Sequence, residues 1–398
     1  MTVGGPRVLV LSRSYPSDML PSFGLWVERP TAMLAERCSV RVLAPVPYCP
    51  PLPELGPLAQ YARFRKIPRR EVRKGVEVLR PRFLAGPGHT LYGYEADAFV
   101  FASVRQLDRL RDEFRFDLIH AHFVYPEGAA ASRLARRYGV PFVITEHAPW
   151  TNEWFRKPRV RKRALEAAGE ATQILAVSSS VRDTIVSYTG QPDRVRIVPI
   201  GVDVERFTPN GSARNADQIL FVGWPNYNKG VDLLLEAMKL LVEAGEPGRL
   251  LVVGESQYRN TRLQEERLKA YSHSLGLDDR VAFVGRKPHH EVAALMAESA
   301  VVVLPSRAES FGAVLVEALA CGTPVVATRC GGPEDIVIDE VGALVPPEDP
   351  AALAGAIRSV LHRPDRYDSA RLREYAVRRF GWSHIVDQVH DAYLDAAA

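Results

Sequence analysis

Short runs of aliphatic and β-branched residues alternate with amphipathic helical segments along the chain, and this alternation starts twice. Strands and helices that alternate in this way are typical of parallel sheets. The predicted strands of the first half are 7–11, 40–43, 76–79, 118–120, 142–145, 174–177 and 196–198, and those of the second half are 219–222, 250–253, 281–283, 301–304 and 325–327. Between the two series, segment 208–217 is polar and contains Pro, Gly and Asn, as linkers do. The sequence therefore predicts an α/β protein with two doubly wound domains.

The composition agrees with a globular protein of this size. A chain of 398 residues has the length of two domains, and its 46% apolar and 25% charged residues are typical of soluble proteins. No apolar run reaches the roughly 18 residues of a membrane span, and the first strand lacks a signal-peptide pattern. The four cysteines show no metal or redox spacing, which favours a reducing compartment. These features predict a cytoplasmic protein.

Positive charge is concentrated in the first half of the chain. Residues 1–190 contain 28 Lys and Arg against 18 Asp and Glu, and the remainder contains 23 against 29. Segments 61–74 and 150–163 are especially basic, and in the second of them Trp150, Trp154 and Phe155 precede the cations. Aromatic residues beside a basic run predict peripheral association with an anionic membrane, and ordinary solvated helix faces are the alternative. Neither segment lies in a recognisable nucleic-acid-binding module, so we expect no nucleic-acid partner.

The loop after predicted strand 301–304 carries Glu309, Ser310, Phe311 and Gly312, and Glu317 follows in the next helix. Backbone amides at a helix start bind anions, and ligands of open α/β sheets bind at the carboxyl ends of the strands. The two carboxylates are eight positions apart, which is roughly 12 Å along a helix. The paired carboxyls of a retaining glycosidase are much closer, about 5–5.5 Å apart. This spacing indicates that they bind two ends of one extended ligand.

Glu309, Phe311, Gly312 and Glu317 together resemble the signature of the family-4 glycosyltransferases, which are retaining enzymes of the GT-B fold. The resemblance covers nearly the whole chain. It implies two Rossmann-like domains that face an interdomain cleft: an acceptor-binding domain (1–207), the linker (208–217) and a nucleotide-sugar-binding domain (218–378). A last helix (379–398) would cross back to the first domain, or else stay with the second. Glu309, Ser310, Phe311 and Gly312 would hold the donor sugar, and Glu317 the ribose hydroxyls.

The first domain supplies further candidates through this resemblance. Gly24 would lie close to the donor phosphates, and His122 would reach into the cleft beside the donor sugar. His120 lies on the same face of the strand, since side chains alternate, and we expect it to pack in the core. His147 and Trp150 are predicted on the acceptor side. A zinc site of the three histidines lacks a compact spacing and a fourth ligand, so no metal is predicted.

The second domain departs from the family pattern at one position. Lys229, just before a helix, matches a phosphate-binding lysine, but Trp224 stands where the family has an arginine. Trp224 could stack on the base or sugar, while Arg286 could replace the missing cation or flank the base. His289 and His290 are predicted to start a helix rather than to bind a metal.

The predicted function is retaining transfer of a sugar from a nucleotide-diphosphate sugar to an acceptor hydroxyl of a glycan, lipid-linked or secondary-metabolite precursor. His122, Glu309 and Lys229 are the predicted catalytic residues, and fixed charges and amides would stabilise the leaving diphosphate. The chain has no Asp-x-Asp triplet, so neither a metal nor another cofactor is expected. The alternatives are a GT-B-fold sugar-nucleotide epimerase and a catalytically degenerate sugar-nucleotide-binding protein.

Overall fold

The computed structural model describes residues 5–48, 62–86, 90–151, 153–255 and 259–398. Contacts between Cα atoms divide the chain into two units, of which the first comprises Met1–Pro199 with Ile385–Ala398 and the second Ile200–His384. The units divide between Pro199 and Ile200, ahead of the predicted linker (208–217), and the last residues of that linker belong to a strand that begins at Asn215. Within the described parts of the chain, no helix is both long and apolar enough to cross a membrane.

The first unit is built on an eight-stranded sheet with a parallel core. Its strands follow the order β10-β9-β8-β7-β1-β2-β5-β4, and only β4 is antiparallel to its neighbour, while β3 pairs separately with β6. The strands are β1 (Arg7–Leu11), β2 (Ser39–Leu43), β3 (Val46–Pro47), β4 (Arg70–Arg73), β5 (Val76–Leu79), β6 (Arg82–Phe83), β7 (Leu118–His122), β8 (Phe142–Glu146), β9 (Gln173–Ala176) and β10 (Val195–Ile197). The helices are α1 (Leu25–Leu34), α2 (Glu95–Glu113), α3 (Ala129–Tyr138), α4 (Pro158–Glu170) and α5 (Ser179–Thr189). Because the order reverses between β1 and β7, their carboxyl ends flank a crevice.

The second unit has a six-stranded, wholly parallel sheet in the order β13-β12-β11-β14-β15-β16. Its strands are β11 (Asn215–Val222), β12 (Arg249–Val253), β13 (Val281–Gly285), β14 (Ser299–Leu304), β15 (Val325–Thr328) and β16 (Gly342–Val345). Its helices are α6 (Val231–Glu243), α7 (Arg259–Ser274), α8 (His289–Glu298), α9 (Ala313–Ala320), α10 (Pro333–Ile336), α11 (Pro350–Leu361) and α12 (Ser369–Phe380). In chain order these strands are arranged 3-2-1-4-5-6, which is the Rossmann order, with its switch point between β11 and β14.

The last helix, α13 (Trp382–Ala397), packs with the first unit from Ile385 onward. Ile385, Val386 and Tyr393 are buried, and the Tyr393 hydroxyl lies 2.7 Å from Nδ1 of His120 on β7. The helix starts at Trp382 rather than at 379, because α12 occupies the preceding residues to Phe380.

Most predicted strands agree with the structure to within a few residues. Helix α5 is capped by Ser178, whose Oγ accepts from the Val181 amide. Strands β3, β4, β6 and β16 were not predicted. They contain two to four residues each, too few for alternation to be visible.

Candidate active site

The carboxyl end of β14 holds a loop that a second loop keeps in place. The Glu309 amide donates to the Cys330 carbonyl and the Gly332 amide donates to the Glu309 carbonyl. A Cβ at Gly332 would lie 2.2 Å from Phe311 Cα, so only glycine permits this approach. Phe311 is buried and packs edge-on against Phe380. The backbone of the motif is therefore fixed before α9 begins at Ala313.

Lys229 and Glu309 meet at the switch point of the second sheet. Lys229 ends a 3₁₀ turn (Tyr227–Lys229) that follows β11, and its Nζ lies 2.5 Å from Glu309 Oε2. Ser306 Oγ contacts the same carboxylate at 3.4 Å. An ammonium thus lies beside the loop that leads into α9, where helix-start amides also favour an anion.

Arg307 anchors this loop, a role that no motif in the sequence indicated. Its guanidinium makes two hydrogen bonds of 2.8 Å to Asp232 on α6, pairs with Glu348 at 2.5 Å and stacks on the Tyr227 ring. Bidentate pairing of this kind fixes geometry as well as charge. Arg307 therefore holds the loops after β11 and β14 together, and it is a structural cation.

Glu317 lies half-buried in the second turn of α9. Burial raises the pKa of its carboxyl to about 8, while Arg206 lowers it and Asp203 raises it. These two neighbours belong to segment 200–207, which sequence analysis did not connect with the site. Arg373 secures that segment, because its guanidinium donates to the carbonyls of Val204, Phe207 and Ala320.

Trp224 and Arg286 lie just after β11 and β13, at the same edge of the sheet. Trp224 is 45% exposed. Burial lowers the pKa of His289, which follows Arg286 in the chain, and the charges of Arg206 and Arg286 lower it further. As predicted, His289 opens a helix.

In the first unit, Gly24 occupies the connection between β1 and α1. Its φ of 87° is left-handed, and a Cβ there would lie 2.1 Å from the Ser14 carbonyl oxygen. The position requires glycine for both reasons, and the connection lies at the switch point of this sheet.

Three histidines lie at the carboxyl ends of β7 and β8. Nδ1 of His122 lies 2.9 Å from Nε2 of His147, and the rings are nearly parallel, with centroids 5.2 Å apart. His120 is buried, with Nδ1 bonded to the Tyr393 hydroxyl and Nε2 to Oγ1 of Thr145. Burial lowers the pKa of His120 and of His147 to about 3 and that of His122 well below its ordinary value, so all three rings are neutral near pH 7.

Glu146 organises the turn that follows β8 and was missed by sequence analysis. Its buried carboxylate accepts hydrogen bonds from the amides of Val124, His147 and Ala148 and from the Trp150 indole. Trp150 is only 3% exposed and stacks on Phe155. The prediction that Trp150 lies on the acceptor side is therefore wrong, because its side chain belongs to the core.

Both basic segments keep exposed cations in the structure, among them Arg65, Lys66, Arg69 and Lys74 in segment 61–74. In segment 61–74, Arg70 pairs with Glu77, and Arg73 pairs with Glu28 and Asp18, while Tyr61 lies outside the described residues. In segment 150–163, Trp150 and Phe155 are buried, so they cannot contact a membrane. Its exposed cations are Arg156, Lys157, Arg159, Arg161 and Lys162.

Three of the four cysteines lie among the described residues. Cys38, Cys321 and Cys330 are unpaired, burial raises the pKa of each, and Cys49 lies outside the described residues. Among the residues that the structure describes, no group of three or more His, Cys, Asp or Glu side chains is arranged to hold a metal ion. The histidine group is hydrogen-bonded instead.

Sequence comparisons identify the family. The family described as Glycosyltransferase Family 4 matches residues 31–206, and Glycosyl transferases group 1 matches residues 205–379. A D-inositol 3-phosphate glycosyltransferase of Acidothermus cellulolyticus is 34% identical over 322 residues, which cover 75% of this chain and 71% of that protein. The chain belongs to the family-4 glycosyltransferases. A Frankia alni protein of the same name is 35% identical over 341 residues, covering 78% of this chain and 83% of its own length.

Solved structures of other proteins share the fold. Sucrose-phosphate synthase from Thermosynechococcus elongatus has a TM-score of 0.80 at 25% identity, with 98% of this chain and all of that chain covered. Anabaena HepE, solved in complex with UDP-glucose, has a TM-score of 0.71 at 20% identity and covers 97% of this chain and 99% of its own. The predicted GT-B fold of two Rossmann-like domains is confirmed, and the protein is a glycosyltransferase.

Proposed function

We propose that this glycosyltransferase moves a sugar from a nucleotide-diphosphate sugar to an acceptor hydroxyl with retention of anomeric configuration and without a metal ion. The observation that carries the proposal is the Lys229–Glu309 pair at the switch point of the second sheet, beside the start of α9. A cation and helix-start amides together suit a diphosphate, and the neighbouring carboxylate suits sugar hydroxyls.

The donor site would work by electrostatic stabilisation. Negative charge develops on the diphosphate as the glycosidic bond breaks, and Lys229 and the amides at Ser310, Phe311 and Gly312 would stabilise it without reorganising. Glu309 would then exchange its ion pair for hydrogen bonds to the sugar. Glu317 would bind the ribose hydroxyls.

Other residues complete this proposal. Gly24 would leave room for the donor phosphates in the first unit, and His122 would contact the donor sugar. Trp224 would stack on the base or sugar where the family has an arginine, and Arg286 would flank the base. His147 is the remaining candidate on the acceptor side, since Trp150 is buried.

The relatives suggest which substrates to test first. Anabaena HepE binds UDP-glucose in its structure, and the Acidothermus and Frankia proteins are named for inositol 3-phosphate. We therefore propose a UDP-sugar as donor and a hydroxylated, phosphorylated polyol as the first acceptor class, ahead of glycan and lipid-linked acceptors. The comparisons give no support to the epimerase alternative.

A nucleotide-sugar panel tests this function directly. UDP-, GDP-, ADP- and dTDP-sugars are added to the wild type, to Glu317→Ala and to Glu374→Ala, a matched change of an exposed glutamate in the same unit. One donor should raise the melting temperature of the wild type and of Glu374→Ala but not of Glu317→Ala. Transfer to inositol 3-phosphate should follow. A donor altered without any acceptor would indicate epimerisation, and binding without transfer to any acceptor would indicate a degenerate protein.

We also propose a cytoplasmic location with peripheral attachment to anionic membrane. The support is the exposed cations of the two basic segments. Of the three aromatic residues in the second segment, Trp150 and Phe155 are buried and Trp154 is half-buried. Vesicles with and without anionic lipid, at low and high salt, test the idea by flotation. Absence of salt-sensitive association would overturn it.

A further inference from the structure

The contact between His122 and His147 restricts where their protons can lie. His122 is the last residue of β7, and His147 follows directly after β8, so two neighbouring strands fix the two rings. Nδ1 of His122 faces Nε2 of His147 at 2.9 Å. A hydrogen bond at this distance needs a proton on one of the two facing nitrogens and a lone pair on the other.

Since both rings are neutral, each carries one N–H, and two arrangements are possible. In the first, His122 donates from Nδ1, and His147 must then carry its proton on Nδ1. In the second, His147 donates from Nε2, and His122 must then carry its proton on Nε2. The two arrangements differ at the second nitrogen of each ring, the one outside this hydrogen bond, which carries either a proton or a lone pair.

The second nitrogen of His147, Nδ1, decides between the two arrangements. Nδ1 of His147 is sealed from solvent and has no hydrogen-bond partner among the residues that the structure describes. A buried N–H without a partner carries a desolvation cost and is found less often than a buried acceptor without one. The second arrangement avoids this cost, since it leaves a bare lone pair at His147 Nδ1.

The surroundings of His147 keep its ring in place for this contact. Glu146 accepts from the His147 and Ala148 amides at 2.9 and 3.1 Å, which fixes the backbone. The rings of Phe123 and Trp26 lie against the imidazole, with centroids 4.9 and 6.5 Å from it. Phe123 has a φ of 75°, a strained value for a bulky residue, and such strain is held where surrounding structure requires it.

We propose that His147 is a positioning residue that holds His122 as the neutral tautomer with its proton on Nε2. His122 then offers a hydrogen-bond donor to a hydroxyl oxygen of the donor sugar and cannot accept a proton there as a general base. The second part rests on the proposed function, in which His122 contacts that sugar, whereas the tautomer itself does not.

Two-bond ¹H–¹⁵N correlation NMR of the full-length protein with ¹⁵N-labelled histidine tests the tautomer without any substrate. The expected spectrum shows His122 and His147 each protonated at Nε2, with assignments from the His122→Gln and His147→Gln spectra. A His122 ring protonated at Nδ1 would overturn the proposal, whatever the enzyme transfers. This readout separates the inference from the proposed function.

Kinetics then test the consequence. His147→Leu removes the donor, so kcat/KM for the nucleotide sugar should fall about tenfold, the loss of one hydrogen bond. His147→Gln keeps an N–H within reach and should retain most activity. His273→Leu, an exposed histidine of the second unit, is the matched control. If His147→Leu folds and keeps both the wild-type His122 spectrum and full activity, His147 has no positioning role.

Discussion

Lys229 is the cation on which the proposed donor site most depends, and its Nζ pairs with the carboxylate of Glu309. Lys229→Met would remove a charge-assisted contact to the diphosphate, which contributes about 1.5–3 kcal/mol. We expect kcat/KM for the donor to fall about 10- to 100-fold in steady-state assays. Lys239→Met, an exposed lysine on α6, should leave it unchanged. Equal activity of both variants would contradict the phosphate role.

Glu317 provides a prediction about pH. Its folded-state pKa of about 8 exceeds the ordinary value of 4.5, so the folded protein holds this proton more tightly than the unfolded chain. The resulting stability is complete below pH 4.5 and is lost as the pH rises to about 8. Glu317→Gln should remove this contribution, so the difference in melting temperature between the two proteins should change over this range. A constant difference would show that Glu317 titrates normally.

Candidate site residues could be picked out from the sequence where they lie close together in the chain. Glu309, Phe311, Gly312 and Glu317 lie within nine positions, so one motif reveals them. Arg307 and Glu146 were missed because their partners come from distant or backbone positions, such as Asp232 and the Val124 amide. Trp150 was misplaced because burial depends on packing against Phe155 and Tyr188, which a pattern of residue types does not contain.

At the scale of elements, the loops at the switch points depend on close backbone contacts. Gly332→Ala would place a Cβ within 2.2 Å of Phe311 Cα, and the motif loop would have to move. We expect a loss of roughly 1–3 kcal/mol of unfolding free energy, measured by urea denaturation, together with weaker donor binding.

Gly355 on α11 is the matched control for this change. A Cβ there meets nothing within 4 Å, and alanine is a better helix former than glycine by about 1 kcal/mol. Gly355→Ala should therefore stabilise the protein slightly and leave donor binding intact. If Gly332→Ala behaved like Gly355→Ala, the loop would not need this glycine.

The buried parallel strands could be predicted because they are nearly continuous apolar runs, as in β14 and β15. The edge strand β4 (Arg70–Arg73) could not be predicted in this way, because it is rich in charged residues. Its arginines form ion pairs with Glu77 and Glu28 only once the chain has folded.

At the scale of the whole molecule, the chain contributes its last residues to its first unit. Removing Ile385–Ala398 would expose apolar surface that Ile385, Val386, Val389 and Tyr393 cover, and would leave His120 without its hydroxyl partner. Calorimetry should show a lower melting temperature for the first unit, because buried apolar area is lost. Removing only 397–398 is the control. Unchanged unfolding of the longer truncation would mean that α13 does not stabilise that unit.

The central claim is retaining, metal-independent transfer from a nucleotide sugar. The anomeric configuration of the first product, formed in the presence of a chelator, tests this claim most directly. The donor selected by the binding panel is incubated with inositol 3-phosphate in the presence of EDTA, and ¹H NMR of the first product gives the anomeric coupling constant. We predict that an α-linked donor sugar yields an α-linked product at an undiminished rate. A β-linked product, or a reaction that EDTA abolishes, would contradict the mechanism.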